Sequence, residues 1–279
     1  MRRTTNNGFS LLELLMAVAI MAIIVSMLYT IFQTSTRVWG KADSRVEMMQ
    51  NVRVFFDRVA YDLDTSLVSE AKNINFVVNE KSIYFVCKGI YHNGSDTVEG
   101  YQEVMYELIN GGTGDVDFSD DVIQCRIRHS QSGGTFAYES NFATLNGLGA
   151  KEISAYVADL TFECWNQLTG EWIDWSSWPG ASGTPAWNVL NPISSNDPDD
   201  ADYQPTDPSN RGIKPFKVRV TVKMVQPDSA EMINHFDSSG FNSYTSGQSG
   251  TDREKIIAEL EERGLLYEYS ITLSLNQSH

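Results

Sequence analysis

Gly8-Phe9-Ser10-Leu11-Leu12-Glu13 opens directly onto Leu14-Leu15-Met16-Ala17-Val18-Ala19-Ile20-Met21-Ala22-Ile23-Ile24-Val25-Ser26-Met27-Leu28-Tyr29-Thr30-Ile31-Phe32, and the rest of the 279-residue chain is arranged around this stretch. Between Thr4 and Thr36 the one charged residue is Glu13. The run from Leu14 to Phe32 would extend roughly 28 Å as a helix, close to the hydrocarbon thickness of a bilayer. Arg2 and Arg3 precede it. Cations on that side favour a cytoplasmic N-terminus, so everything after Arg37 is expected beyond the cytoplasmic face of the membrane.

A cleavable secretory signal would carry a small-x-small site after a shorter apolar stretch, whereas this stretch reaches the length of a full span. A plain single-span anchor explains the length but not Glu13. A carboxylate near the start of a membrane helix costs about 2 to 3 kcal/mol, so it needs a partner or a role.

The segment from Gly8 to Phe32 resembles the N-terminus of type IV pilins and of type II secretion pseudopilins. The resemblance implies that a membrane prepilin peptidase cuts between Gly8 and Phe9. It also implies that Phe9 becomes an N-methylated terminus and that Glu13 is the fifth mature residue. Cleavage would place an α-amino cation four residues before Glu13, about one helical turn away. Glu13 can then pair with its own terminus or, after a one-turn stagger, with that of a neighbour. Either pairing offsets much of the burial cost in lipid, and the intersubunit one sets the register of assembly.

Beyond the apolar run, Val38, Ala42, Val46, Met49, Val52, Phe56, Val59 and Leu63 recur at three- and four-residue spacing. This predicts an amphipathic helix buried along one stripe, with Arg37, Lys41, Asp43, Arg45, Glu47, Arg53, Asp57, Arg58 and Asp62 on its wet side. No Pro lies between Phe9 and Asp64, and Gly40 is the one Gly, the place where a bend is easiest.

From Asn73 onward the pattern is that of strands. Ile74 to Val78 and Ser82 to Lys88 flank Asn79-Glu80-Lys81 as a hairpin, followed by Tyr101 to Ile109, Val122 to His129 and Ile153 to Trp165. In Pro215 to Val225, apolar Phe216, Val218, Val220, Val222 and Met224 alternate with Lys217, Arg219, Thr221 and Lys223. Tyr267, Tyr269, Ile271, Leu273 and Leu275 repeat that two-residue period at the C-terminus. A short helix is expected between these last two strands, with Thr251 and Glu254 in capping-box spacing and Gly264 at its end.

The fold class expected is therefore α+β, pilin-like: a long N-terminal transmembrane and stalk helix packed on an antiparallel β-sheet head. Residues 1–8 form the leader, 9–36 the transmembrane helix, 37–66 the amphipathic stalk and 67–279 a periplasmic head. Within the head, Ala158 to Glu163, then Gly170-Glu171-Trp172 and Trp178, then Lys214 to Val222 resemble the J-type minor pseudopilin of type II secretion systems. Residues Val52 to Ser66, with Arg58 and Asp62, fit the post-membrane helix of that group.

Asn196 to Asp202 with Asp207, and separately Asp115, Asp117, Asp120 and Asp121, offer hard oxygen ligands that could take Ca²⁺. Both lack EF-hand spacing, and solvated acidic loops are the favoured reading, so no cofactor is expected. Five of six Trp lie between Trp165 and Trp187. Trp172, Trp175 and Trp178 in particular could present a partner-binding or glycan-binding surface or fill a core beneath a loop. Cys87, Cys125 and Cys164 show no CxxC spacing. Buried thiols are favoured over a single bridge, for which Cys125 with Cys164 is the leading pair. His92, His129, His235 and His279 show no zinc-ligand spacing with them. No phosphate-binding loop, Gly-x-Ser-x-Gly or spaced Cys/His pair points to an enzyme.

The chain carries 21 Lys and Arg against 36 Asp and Glu, a net charge of −15, which argues against general nucleic-acid binding. Residues 73–279 hold 13 of the cations and 29 of the anions, so the excess belongs to the head. A local basic patch of Lys217, Arg219 and Lys223 is the exception left open. The expectation is a non-catalytic, single-pass inner-membrane protein that assembles with other pseudopilins or pilins into a secretion pseudopilus. The alternatives are a pilus minor subunit for priming, motility or DNA uptake, and a pilus adhesin using its tryptophans.

Overall fold

The computed structural model describes residues 11–69, 74, 76–93, 96–109, 118, 121–129, 150–166, 170–172, 186–188, 214–226 and 252–276. A single helix α1 (Leu11–Asp64) is followed by antiparallel sheets, the α+β layout expected. The chain divides into two compact units, Met1–Glu47 and Met48–His279, so the last turns of α1 belong with the head.

One sheet is built from β1 (Ser66–Leu67), β2 (Phe76–Asn79), β3 (Ser82–Asn93), β4 (Asp96–Ile109), β5 (Val122–His129), β6 (Ala150–Ala155) and β9 (Ala186–Asn188). Its order is β6-β5-β4-β3-β2-β9, with β1 also on β3. The other holds β7 (Val157–Asn166), β8 (Glu171–Trp172), β10 (Lys217–Val225) and β11 (Leu266–Ser274), in the order β11-β10-β7-β8. Strands β3 and β4 run well past the hairpin residues read from the sequence and pair continuously from Ser82↔Glu107 to Asn93↔Asp96.

The stretch Ile153 to Trp165, expected as one strand, is two. Tyr156 has φ 59°, a left-handed conformation rare for a side chain of its size, and it separates β6 from β7. That one residue moves the chain from the first sheet to the second. The helix α2 (Asp252–Glu262) precedes β11 and ends as expected at Gly264, whose φ is 65°. The Leu265 amide donates to the Leu260 carbonyl (2.9 Å) and the Gly264 amide to that of Glu261 (3.0 Å), the paired bonds of a Schellman stop. Thr251 lies outside the described residues.

The core lies between α1 and the two sheets. Met48, Val52, Phe55, Val59 and Leu63 are buried against Phe76, Ile83, Phe85, Val104 and Tyr106 of the first sheet and Leu160, Phe162, Val220 and Val222 of the second. This corrects the expected stripe: Val38, Val46 and Met49 are exposed, and Met48 and Phe55 take the inward places read for Met49 and Phe56. Met48/Met49 and Phe55/Phe56 are adjacent apolar pairs, and a 3.6-residue period fits either member of each.

Asp62, read as wet, is fully buried. Its Oδ2 accepts from the Arg58 Nε at 2.9 Å and from the Tyr106 hydroxyl at 2.5 Å, across 44 residues of sequence. Burial by itself would lower the Arg58 pKa, but the Asp62 carboxylate beside it reverses the sign and raises it. Burial, with Cys125 and Asp62 nearby, raises that of Tyr106. Asp62→Ala should cost about 3 to 5 kcal/mol in the full chain, because it leaves a buried phenol and a half-buried guanidinium unpaired. Replacing both members of the buried pair, Asp62→Leu with Tyr106→Phe, should recover most of that loss in denaturant melts in detergent micelles.

Candidate functional site

Residue order within the first unit follows from its composition. From Leu11 to Phe32 the large apolar side chains of α1 are more than half exposed, and α1 is, among the described residues, the one helix long and apolar enough to cross a membrane. Three threonines in and after the run turn their hydroxyls back onto the helix. Thr30 donates to the Ser26 carbonyl (2.9 Å), Thr34 to that of Thr30 (2.9 Å) and Thr36 to that of Phe32 (2.8 Å). Each hydroxyl hydrogen is thereby satisfied without water, which is what an apolar surrounding demands.

Glu13 stands in the first described turn of α1, towards the end of the helix where its dipole favours a negative charge. Gly8 and Phe9, the expected cleavage and methylation positions, lie outside the described residues.

In the head, the three stretches that carry the J-type resemblance come together. Strand β7 pairs with β8 through Trp165↔Trp172 and Asn166↔Glu171, and with β10 from Val218↔Cys164 to Met224↔Val157. Trp172 meets Trp165 edge-on, with ring centroids 5.2 Å apart, and the Arg219 guanidinium lies 4.0 Å from its ring centroid. Trp172 is thus half-buried and engaged by its own sheet; Trp175 and Trp178 lie outside the described residues. The basic trio is engaged as well. Arg219 pairs with Glu163 (3.2 Å), Lys217 sits 5.4 Å from the Trp165 ring centroid, and Lys223 lies 3.5 Å from Glu261 and 3.8 Å from Glu268. The carboxylates beside Arg219 and Lys223 weaken the local positive field that a nucleic-acid patch would require, and Lys217 is held against aromatic rings.

The two sheets are tied by Lys81, whose Nζ is 2.6 Å from Asp159, and by the Phe162 amide donating to the Glu80 carbonyl at 2.8 Å. Buried Lys214, just before β10, donates to the Ser66 carbonyl at 2.8 Å, and burial lowers its pKa. Among the described residues no three His, Cys, Asp or Glu side chains are placed to hold a metal. Asp121 is buried; Asp115, Asp117, Asp120 and the acidic stretch 196–207 lie outside the described residues.

Cys87, Cys125 and Cys164 are free and buried. Cys87 and Cys125 face α1 beside Tyr106. Burial pushes Cys87 up to about 12, against a hydrogen bond from the Gln102 amide at 3.3 Å, and Cys125 up to about 11. Gly89 makes room for this arrangement: a Cβ there would sit 2.4 Å from the Gln102 side-chain amide carbon.

Residues 3–29 match the family model described as the prokaryotic N-terminal methylation motif. That interval contains Gly8, Phe9 and Glu13, and it supports a type IV prepilin-like N-terminus, processed by a prepilin peptidase. No curated protein matches the chain.

A thiol whose folded pKa exceeds its unfolded value of about 9 contributes stability that is complete below pH 9 and lost as pH rises toward the folded value. Between pH 9 and 10 the full chain should lose on the order of 1 to 3 kcal/mol from Cys87 and Cys125 together. Denaturant midpoints across that range should fall, and the Cys87→Ala/Cys125→Ala variant should flatten the slope. At pH 8 none of the three thiols should react with a disulfide reagent until the chain is unfolded.

Proposed function

We propose that this chain is a non-catalytic minor pseudopilin or pilin-like subunit. In this reading it is cleaved after Gly8, methylated on Phe9 and assembled through lateral packing of its N-terminal helix. The observation that carries the reading is the conjunction in α1 of an exposed apolar run, Glu13 in its first turn and the methylation-motif match over residues 3–29. The apolar run supplies the association in the membrane. The carboxylate, four residues from the new amino terminus, favours the stagger in which it meets a neighbour's charge.

The head supports a rare subunit over a repeating one. It holds far more chain than two sheets require, which would crowd a tightly wound filament. Its acidic excess, with Lys217, Arg219 and Lys223 already engaged, favours a protein partner over DNA. The adjacency of β8, β7 and β10 supports the secretion-type, J-like assignment over a pilus subunit, because it brings the stretches that carry that resemblance into one sheet. In this assignment the N-terminus is cytoplasmic and the head periplasmic.

Terminal sequencing and intact mass of the chain from its native membrane should give a start at Phe9 with one added methyl group. A start at Met1 would falsify the processing. Glu13→Ala should leave cleavage intact and lower incorporation into sheared filaments by tenfold or more, about 1.4 kcal/mol, read by quantitative blotting. An abundant, uniform presence of the wild-type chain along filaments would contradict the minor role.

A further inference from the structure

The outer edge of β11 pairs with no strand among the described residues. β11 pairs with β10 in unbroken register from Lys217↔Ser274 to Val225↔Leu266, without a bulge, and among the described residues no strand lies beyond it. The phase of the ladder follows from the two bonds that bracket it. The Leu275 amide donates to the Phe216 carbonyl at 2.9 Å, and the Gln226 amide to the Leu265 carbonyl at 3.5 Å. Hydrogen-bonded pairs recur every second residue in an antiparallel ladder, so the odd-numbered residues of β11 serve β10. The amides and carbonyls of Leu266, Glu268, Ser270, Thr272 and Ser274 therefore point away from the sheet.

Sheet edges of this length are normally blunted by Lys, Pro, bulges or early termination. β11 has nine residues and none of these devices; its one charge is Glu268. Glu268, Ser270, Thr272 and Ser274 are exposed, and three of them are small hydroxyl side chains that suit a cross-strand neighbour. On the opposite face Tyr267, Tyr269, Ile271 and Leu273 are half-buried at the margin of the core, where an added strand would complete their cover.

We propose that β11 docks an extended strand from a different polypeptide, alternating apolar with polar residues and carrying a cation where it passes Glu268. The cation would continue the row in which Lys223 already pairs with Glu268. A second copy of β11 fits less well. Pairing about a two-fold at Ser270 would set Glu268 opposite Thr272 and bring no cation to it. That the strand comes from a neighbouring subunit rests on the assembly reading above; that the edge accepts a strand does not.

The test uses the full chain in detergent micelles with three ten-residue peptides. The first alternates Val with Thr and Lys, the second alternates Val with Thr and Glu, and the third has the first one's composition with its valines in one block. Amide exchange at Glu268, Ser270, Thr272 and Ser274 should be fast in the chain alone and slow about tenfold with the first peptide only. Thr272→Pro, which removes an outward amide that β10 does not use, should abolish the slowing without lowering the melting temperature. Should that variant melt early, Glu268→Lys provides the second arm and should switch the preference to the acidic peptide. The proposal is overturned by amides already protected in the chain alone, by protection that grows with the chain's own concentration, by equal slowing with the blocked peptide, or by none with any. A Met1 start of the mature chain would sink the assembly reading and leave these exchange results standing.

Discussion

A carboxylate with no access to water joins the helix to the sheet, and the head's architecture follows from how it is satisfied. Asp62 lies on the same line of α1 as Phe55 and Val59, so burying that apolar line buries the acid with it. The cost of stripping a carboxylate of water is several kcal/mol, and here it is offset at Oδ2 by Tyr106 from β4 and Arg58 one turn back on α1, while Oδ1 is buried with no hydrogen-bond partner among the described residues. Tyr106 fixes where the helix sits along the sheet, while Arg58 keeps its outer part in solvent and carries the compensating charge. A second Tyr, carboxylate and Arg group lies on the same sheet's other face, where buried Glu103 accepts from Tyr84 at 2.8 Å and pairs with Arg128.

Around that anchor the apolar contacts supply most of the free energy. Phe55 meets Tyr106 edge-on at 5.8 Å, and Phe85 stacks beside Tyr106 at 6.3 Å. The three thiols fit this setting as small hydrophobes. Their raised pKa values follow from the same loss of water that makes Asp62 dependent on its partners. The result is one helix that changes solvent along its length. Before Glu47 its apolar surface is open, and from Met48 onward one line of it, Met48, Val52, Phe55, Val59 and Leu63, is covered by the head's own sheets.

Much of this was legible residue by residue. The alternation in β10 and in β11 predicted strands whose faces the structure reproduces except at Phe216, which is exposed just before β10 begins, and Gly264 marked the end of α2. The reading lost accuracy where two placements shared one pattern. Met48/Met49 and Phe55/Phe56 are equivalent to a periodicity count, and which of each pair turns inward depends on the sheets that meet them. Tyr156 was invisible as a break, because nothing in its side chain announces a left-handed backbone. Asp62 was misplaced because charge is ordinarily a sign of solvent, and its partner Tyr106 is 44 residues away.

The amino-acid sequence by itself determined the apolar span, the methylation motif with Glu13 in it, and the acidic character of the head. All of these rest on local composition and on spacings within a few residues. Tertiary structure decided the rest: that Asp62 is buried, that Arg219 and Lys223 are paired with carboxylates and Lys217 lies against aromatic rings, that Trp172 is packed, and that among the described residues β11 ends a sheet. Each depends on which distant strand comes to lie alongside. Pairing partners are chosen by the summed burial of whole faces, a quantity that no local stretch of sequence contains.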